Sequence, residues 1–142
     1  MAACRVLHGA VSVETRRRFE TIDITGRVAE WLGRMGAWSG VLTVFVPHTT
    51  AAVAVNEAEP GLMEDILELL RELTRPGAAW RHNRIDNNAH AHLGNVLVGH
   101  SATIPVIDGE LALGTWQRIM FIEMDGPRRR RVRLVFTGET RG

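Results

Sequence analysis

The run Val41-Leu42-Thr43-Val44-Phe45-Val46 is apolar on both of the faces that an extended strand presents. Successive strand residues point to opposite sides, so the run predicts a central strand covered by a layer on each side. Pro47 ends it, because proline cannot donate to a sheet ladder. A chain of 142 residues is long enough for one domain with a real core and too short for two. That domain has to stack layers around the buried strand, and the flanking segments decide what the layers are.

Residues 11–24 have an extended pattern with a break near 14–16. Thr25 is the expected N-cap of a helix over 26–38, where Val28, Trp31, Leu32, Met35 and Trp38 recur at helical spacing. Residues 52–55 form a second short strand. Pro60 opens the clearest helix, with Leu62, Ile66, Leu69, Leu70 and Leu73 as one apolar stripe and Glu64, Asp65, Glu68, Arg71 and Glu72 away from it. Pro76-Gly77 ends that unit, and 80–88 is polar loop. A third helix covers 89–98, with Asn88 as cap and Gly99 as stop. Four strands follow, over 102–107, 111–113, 117–124 and 129–137, with Asp108-Gly109 and Asp125-Gly126 as turns. The chain, 1–142, is thus one compact α+β domain with antiparallel or mixed β-sheet layers and three helices.

Composition excludes several roles. Seventeen basic and sixteen acidic side chains leave a net charge of +1, which gives no broad attraction to nucleic acid or membrane. No run of about 18 apolar residues exists, so no transmembrane helix is expected. The start, Met1 to Gly9, lacks the apolar stretch of a signal peptide, and the one cysteine, Cys4, suits a reducing compartment. The expected location is cytoplasmic.

The run Arg128-Arg129-Arg130-Arg131 resembles a nucleic-acid patch until strand alternation is applied. Arg128 and Arg130 share a face with Val132, Leu134 and Phe136, whereas Arg129, Arg131 and Arg133 share the other. An unpaired guanidinium facing an apolar layer costs several kcal/mol, roughly. Arg128 and Arg130 therefore need internal carboxylate partners, with Glu123 and Asp125 the alternatives, or a subunit boundary, or an anionic ligand such as phosphate, which arginine's planar fork suits. His48 continues the face of Leu42, Val44 and Val46 to the strand end, either as a ligand group or as a hydrogen-bonding cap. Thr49 and Thr50 add hydroxyls at that turn. Five of the six histidines lie between positions 48 and 100, and imidazole is the commonest metal ligand. His90 and His92 point about 200° apart on a helix. His92 is the inward candidate, which leaves His90 at the helix start or on another surface. Glu57 closes the second strand as a base, a metal ligand or an arginine's partner. Trp116 is read as core before ligand platform.

Together these motifs resemble the YjbQ-like family. Pro47-His48-Thr49-Thr50-Ala51-Ala52-Val53 with Asn56-Glu57 matches its first motif. Arg81-His82, Ala91-His92-Leu93, Gly99-His100-Ser101, Ile104-Pro105-Val106, Gly109-Glu110-Leu111, Leu113-Gly114-Thr115-Trp116-Gln117 and Asp125-Gly126-Pro127-Arg128-Arg129-Arg130 follow in the family's order. The resemblance covers about residues 15–138; His100 stands where a proline or small residue is more usual. It implies a homotrimer with a pocket near the subunit boundaries that holds His48, His82 and His92, with Glu57 and the arginine strand close by. It also implies thiamine-phosphate synthase activity, as a main or side reaction. That reaction joins a pyrimidine methyl diphosphate to a thiazole phosphate and releases pyrophosphate.

The expected enzyme holds a divalent metal on His48, His82 and His92, zinc before magnesium, since imidazole suits Zn²⁺ and Mg²⁺ prefers oxygen. Glu57 and His48 are the catalytic candidates. Thr50, Ser101, Gln117, Arg128 and Arg130 are the candidates for binding a phosphorylated small molecule. The alternative is a non-catalytic trimer that senses a metal or a phosphorylated metabolite.

Overall fold

The computed structural model describes residues 3–141. Twelve of them, Ala3–Glu14, form β1, and Glu20–Asp23 form β2. The first helix, α1, covers Thr25–Arg34, and β3 covers Ala37–Phe45. Next come β4 (Ala51–Asn56), α2 (Pro60–Thr74), a 3-10 turn (Arg81–Arg84) and α3 (Ala89–Val98). Four strands close the chain: β5 (Ser101–Ile107), β6 (Glu110–Leu111), β7 (Arg118–Glu123) and β8 (Arg129–Thr140).

These strands make two antiparallel sheets, one ordered β1-β8-β3-β5-β6 and the other β2-β7-β4. Alternation along β4 and β7 sorts the core into two layers. Ala51, Val53, Ile119 and Phe121 face the larger sheet and pack with Leu42, Val44, Val132, Leu134, Phe136 and the α1 residues Val28, Trp31 and Leu32. Ala52, Ile122 and Met124 face the other way, onto Leu67 and Leu70 of α2 and Ala91 of α3. The layers are therefore large sheet, small sheet, helices. This is the α+β architecture expected from the sequence.

The strand covered on both sides is β7, where Ile119 to Glu123 are all buried, and not the segment at 41–46. Leu42, Val44 and Val46 are buried, but Val41 and Phe45 stay 47% and 38% exposed. Among the described residues, no layer covers the outer side of the large sheet, so the apolar pattern of β3 exceeds what they cover.

Two helices differ from their expected form. The first stops at Arg34, because Gly36 takes a left-handed φ of 71° and sends Trp38 into β3. Its N-cap is Ile24 and not Thr25, with Asp23 Oδ1 one residue earlier accepting the Thr25 N–H at 3.0 Å; the Thr25 hydroxyl instead accepts the Ile119 N–H at 2.7 Å. In α2 the buried face is Leu67, Leu70 and Thr74, while Leu69 and Leu73 are 54% and 56% exposed. Leucines lie on more than one side of this helix, so the neighbouring Ala52, Ile122 and Ala91 select the face, not the stripe. The α2 N-terminus is set by Glu59, whose carboxylate accepts the Gly61 and Leu62 N–H groups at 2.9 and 2.6 Å.

The third helix has the bounds that its sequence predicts, yet its histidines exchange their expected environments. His90 is fully buried against Phe19, with Nε2 donating to the Met124 carbonyl at 2.9 Å. Its Nδ1 has no partner. Burial holds the imidazole pKa below its usual value. Protonation is then opposed in the folded state but free in the unfolded one. The contribution is complete above the unfolded pKa, near 6.5, and is lost as the pH falls through the lowered folded value. Urea unfolding at pH 8 and pH 5 should show a larger loss for the native chain than for His90→Gln. Equal losses would mean that His90 does not set the acid limit.

Candidate functional site

The first pocket forms where the start of β4 meets the end of β7, since Ala51 pairs with Glu123. Arg130, on the inward face of β8, and Glu123 are both buried there. Arg130 Nε donates to Glu123 Oε1 at 2.8 Å, and Nη2 donates to Oε2 and to Thr50 Oγ1, the latter at 2.8 Å. The Thr15 hydroxyl donates to Oε1 at 2.8 Å, and the Met124 and Asp125 N–H groups donate to Oε2 at 3.1 and 3.2 Å. Every strong acceptor direction of this carboxylate is thereby engaged. Of the two expected roles for Arg130, the structure realises the internal ion pair, and the guanidinium is committed to Glu123 rather than open to a ligand.

Arg128 departs from the expected alternation. It precedes the first residue of β8, so the pleat does not fix its direction, and its side chain keeps 53% of its surface in solvent. Nη2 donates to Asp125 Oδ2 at 3.0 Å and Nε to the Asp125 carbonyl at 2.9 Å. Both sequence-level partners are thus used: Glu123 by Arg130, and Asp125 by Arg128.

His48 ends up here through a gap in the ladder. Phe45 pairs with Arg133, so the same register sets Pro47 opposite Arg131. Proline has no N–H to offer, and the His48 ring takes the place of a ladder partner. Its Nε2 lies 3.0 Å from the Arg131 backbone nitrogen and 3.1 Å from the Arg131 carbonyl oxygen. As acceptor from the amide, the ring carries its proton on Nδ1; as donor to the carbonyl, it leaves Nδ1 with a lone pair. Burial, then the nearby Arg130 guanidinium, lowers the His48 pKa, so the ring is neutral at pH 7. The pocket has a volume of about 360 Å³, and Thr49, Thr50, Asn88, His92, Asp125 and Arg128 complete it with His48.

His92 is also a wall of a second pocket, about 430 Å³, lined by Trp80, Arg81, His82, Ala89 and Leu93. The His82 and His92 rings meet edge to face, with centroids 4.7 Å apart. Asn88 ties the two pockets together. Its Oδ1 accepts from His82 Nε2 at 3.1 Å, and its Nδ2 donates to Asp125 Oδ2 at 2.9 Å, the oxygen that also holds Arg128. The sequence pattern marked Asn88 only as a helix cap, yet its side chain makes no cap bond. Nothing in the spacing of Asn88 and Asp125 announces this link, because 37 residues separate them.

Three imidazoles therefore reach adjoining pockets, but the chain does not bring them into one ligand set. Among the described residues, no three His, Cys, Asp or Glu side chains are grouped so as to hold a metal ion. His82 and His92 touch, while His48 is tied through Nε2 to the β8 backbone. The donor set as placed does not fit a three-imidazole zinc centre.

The remaining candidates lie elsewhere. Thr50 precedes β4 and Glu57 follows it; seven steps of about 3.3 Å each set them about 23 Å apart along an extended strand. Glu57 lines a separate pocket with Asp23, Glu59, Thr115, Trp116 and Arg118. Trp116 is 71% exposed there, so it is not core. Gln117 Oε1 accepts the Gly114 N–H at 2.7 Å and braces its own loop. Ser101 opens β5 opposite Phe45 and lines none of these pockets.

Residues 9–139 match the family described as UPF0047 protein YjbQ-like. The chain belongs to this family. A UPF0047 protein from Archaeoglobus fulgidus is 48% identical over 122 residues, which cover 86% of this chain and 94% of the relative. The crystal structure of a hypothetical protein from Aeropyrum pernix K1 superposes with a TM-score of 0.92 at 61% identity, covering 94% of this chain and 99% of that one. A YbjQ-like protein of unknown function from Sulfolobus solfataricus P2 superposes with a TM-score of 0.94 at 44% identity, over 96% and 100% of the two chains. These two proteins thus share the fold over nearly the whole of this chain. Among the described residues, no helix is long and apolar enough to cross a membrane.

Proposed function

We propose that the protein is a small-molecule enzyme whose substrate carries a phosphate or diphosphate in the pocket of His48, Thr50 and Arg128. One observation carries this reading: Arg130 is neutralised internally by Glu123, while Arg128 stands at the pocket with half its surface in solvent. Thr50 adds to it. Its oxygen accepts from Arg130, which leaves its O–H to donate. A planar guanidinium, a hydroxyl and a neutral imidazole together suit a phosphoryl group.

The reaction to test first is formation of thiamine phosphate. A thiazole nitrogen would attack the methylene carbon of a pyrimidine methyl diphosphate; the C–N bond forms, the C–O bond breaks and pyrophosphate leaves. Arg128 would meet the charge that grows on the leaving group. In its Nδ1–H tautomer His48 would donate a hydrogen bond to the same oxygens. A divalent metal would supply Lewis acidity, but the ligand set described above does not hold one, and no step here depends on it. Elemental analysis of protein purified without a histidine tag checks that point.

A second reading, a non-catalytic sensor of a phosphorylated metabolite, draws on a specific observation. Glu57 is remote, and the carboxylates at the first pocket, Glu123 and Asp125, are both held by arginines. No carboxylate at this pocket is then free to act as a base. Assembly as a homotrimer belongs to the same proposal. The outer face of the large sheet exposes Val6, Val41, Phe45, Ile107 and Val135, which a second copy would cover.

Calorimetric titration with inorganic phosphate and pyrophosphate, followed by assay of pyrophosphate release with and without chelator, tests the function. Sedimentation of the same sample reads the assembly. Binding with turnover supports the enzyme, and binding without turnover on any phosphorylated heterocycle supports the sensor. Absence of phosphate and pyrophosphate binding rejects both.

A further inference from the structure

We infer that the Trp80–His82–His92–Leu93 cavity is a subsite for a flat aromatic ring, and that one ligand spans it and the anion pocket. The inference rests on the anion pocket proposed above and names the class of molecule it takes: a phosphorylated heteroaromatic small molecule.

Four observations converge on it. His92 forms part of the wall of both cavities, so they adjoin at a single side chain. Both volumes, about 430 and about 360 Å³, lie in the range of small-molecule sites. The aromatic walls are fixed before any ligand arrives. Trp80 Nε1 donates to the Thr74 carbonyl at 2.8 Å, and the Arg75 guanidinium lies 4.8 Å from the indole centroid. His82 is held by Asn88 and packed edge to face on His92. Finally, the two cavities differ in chemistry. One presents Trp80, Ala89 and Leu93 with two imidazole rings and Arg81 at its edge; the other presents the hydroxyls of Thr49 and Thr50, the Asn88 amide and the Arg128 guanidinium, with Asp125 held by Asn88 and Arg128. A rigid aromatic surface beside an anion cradle suits a ligand with a ring at one end and a phosphate at the other.

Asn88 gives this arrangement its geometry. It is buried and bonds His82 on one side and Asp125 on the other, and Asp125 bonds Arg128. The ring subsite and the anion subsite are therefore held in register by a chain of hydrogen bonds through one amide.

Three probes test the inference by calorimetry: inorganic phosphate, pyridoxine and pyridoxine 5′-phosphate. The phosphorylated ring should bind at least about ten-fold more tightly than phosphate alone, because its ring is stacked as well as its anion held. Trp80→Ala should return its affinity to that of phosphate and leave phosphate binding unchanged. Trp80→Phe, which keeps a ring but loses the bond to Thr74, should retain most of the gain and guards against a fold defect. If the phosphorylated ring binds no better than phosphate, or keeps its advantage in Trp80→Ala, the ring subsite is wrong and the anion pocket stands. If phosphate and the phosphorylated ring both fail to bind, the anion pocket itself falls and the shared ligand with it. Pyridoxine binding alone would likewise overturn a ligand that needs both ends.

Discussion

Glu123→Ala should destabilise the protein by about 3–5 kcal/mol, the largest loss expected from any single change near the site. The carboxylate is fully buried and receives hydrogen bonds from Arg130, Thr15 and two backbone amides. Removing it leaves the Arg130 guanidinium in the interior with only Thr50 as a side-chain partner. The penalty is that of an uncompensated buried charge and not the net worth of the pair. The double variant Glu123→Met with Arg130→Met separates the two. It should recover most of the loss, because an apolar pair of similar volume needs no desolvation of charge. Urea unfolding reads both, with a fall in midpoint at unchanged slope as the signature. A single variant within 1 kcal/mol of the native chain would show that Arg130 reaches solvent or another anion, contrary to the geometry.

Arg128→Ala should weaken binding of inorganic phosphate by roughly 10- to 150-fold, the equivalent of one charge-assisted hydrogen-bonded contact of about 1.5–3 kcal/mol. Its structural cost should be small, since the Arg128 side chain is half exposed and the mostly buried Asp125 keeps its bond from Asn88. Arg128→Lys keeps the charge but loses the planar fork, so it should recover only part of the affinity. Asp125→Asn works in the opposite direction. It frees Arg128 from a competing carboxylate and takes a negative charge out of the pocket, so phosphate should bind more tightly. Calorimetry at fixed salt measures all three, because the contact is screened by ions. Unchanged phosphate affinity in Arg128→Ala would remove this residue from the site and leave the proposed function without its main support.

Much of the architecture is legible along the chain because it depends on local periodicity. The alternation of Arg130 with Val132, Leu134 and Phe136 places this guanidinium on the inner face of β8, and the structure buries it there. His48 continues the inner face of Leu42, Val44 and Val46 for the same reason. Asn88 and Gly99 bracket α3 where expected. Periodicity fails where an element ends or has two usable faces. Arg128 lies one residue before its strand and swings outward. The leucines of α2 allow more than one packing, and Leu69 and Leu73 are left outside. His92, read as the inward histidine, lines a pocket, while His90 takes the core.

The sequence by itself determined the order of most strands and helices, that Arg130 faces the inner side of β8, and that His48 continues the inner face of β3. These follow from the twofold repeat of a strand, the 3.6-residue repeat of a helix and the missing N–H of proline. Only the tertiary structure decided that Glu123 and not Asp125 neutralises Arg130, and that Glu57 lines a different pocket from His48 and Arg128. It also decided that Asn88 bonds His82 on one pocket's wall and Asp125 on the other's. Such pairings depend on register and distance between elements far apart in the chain, which no local spacing encodes.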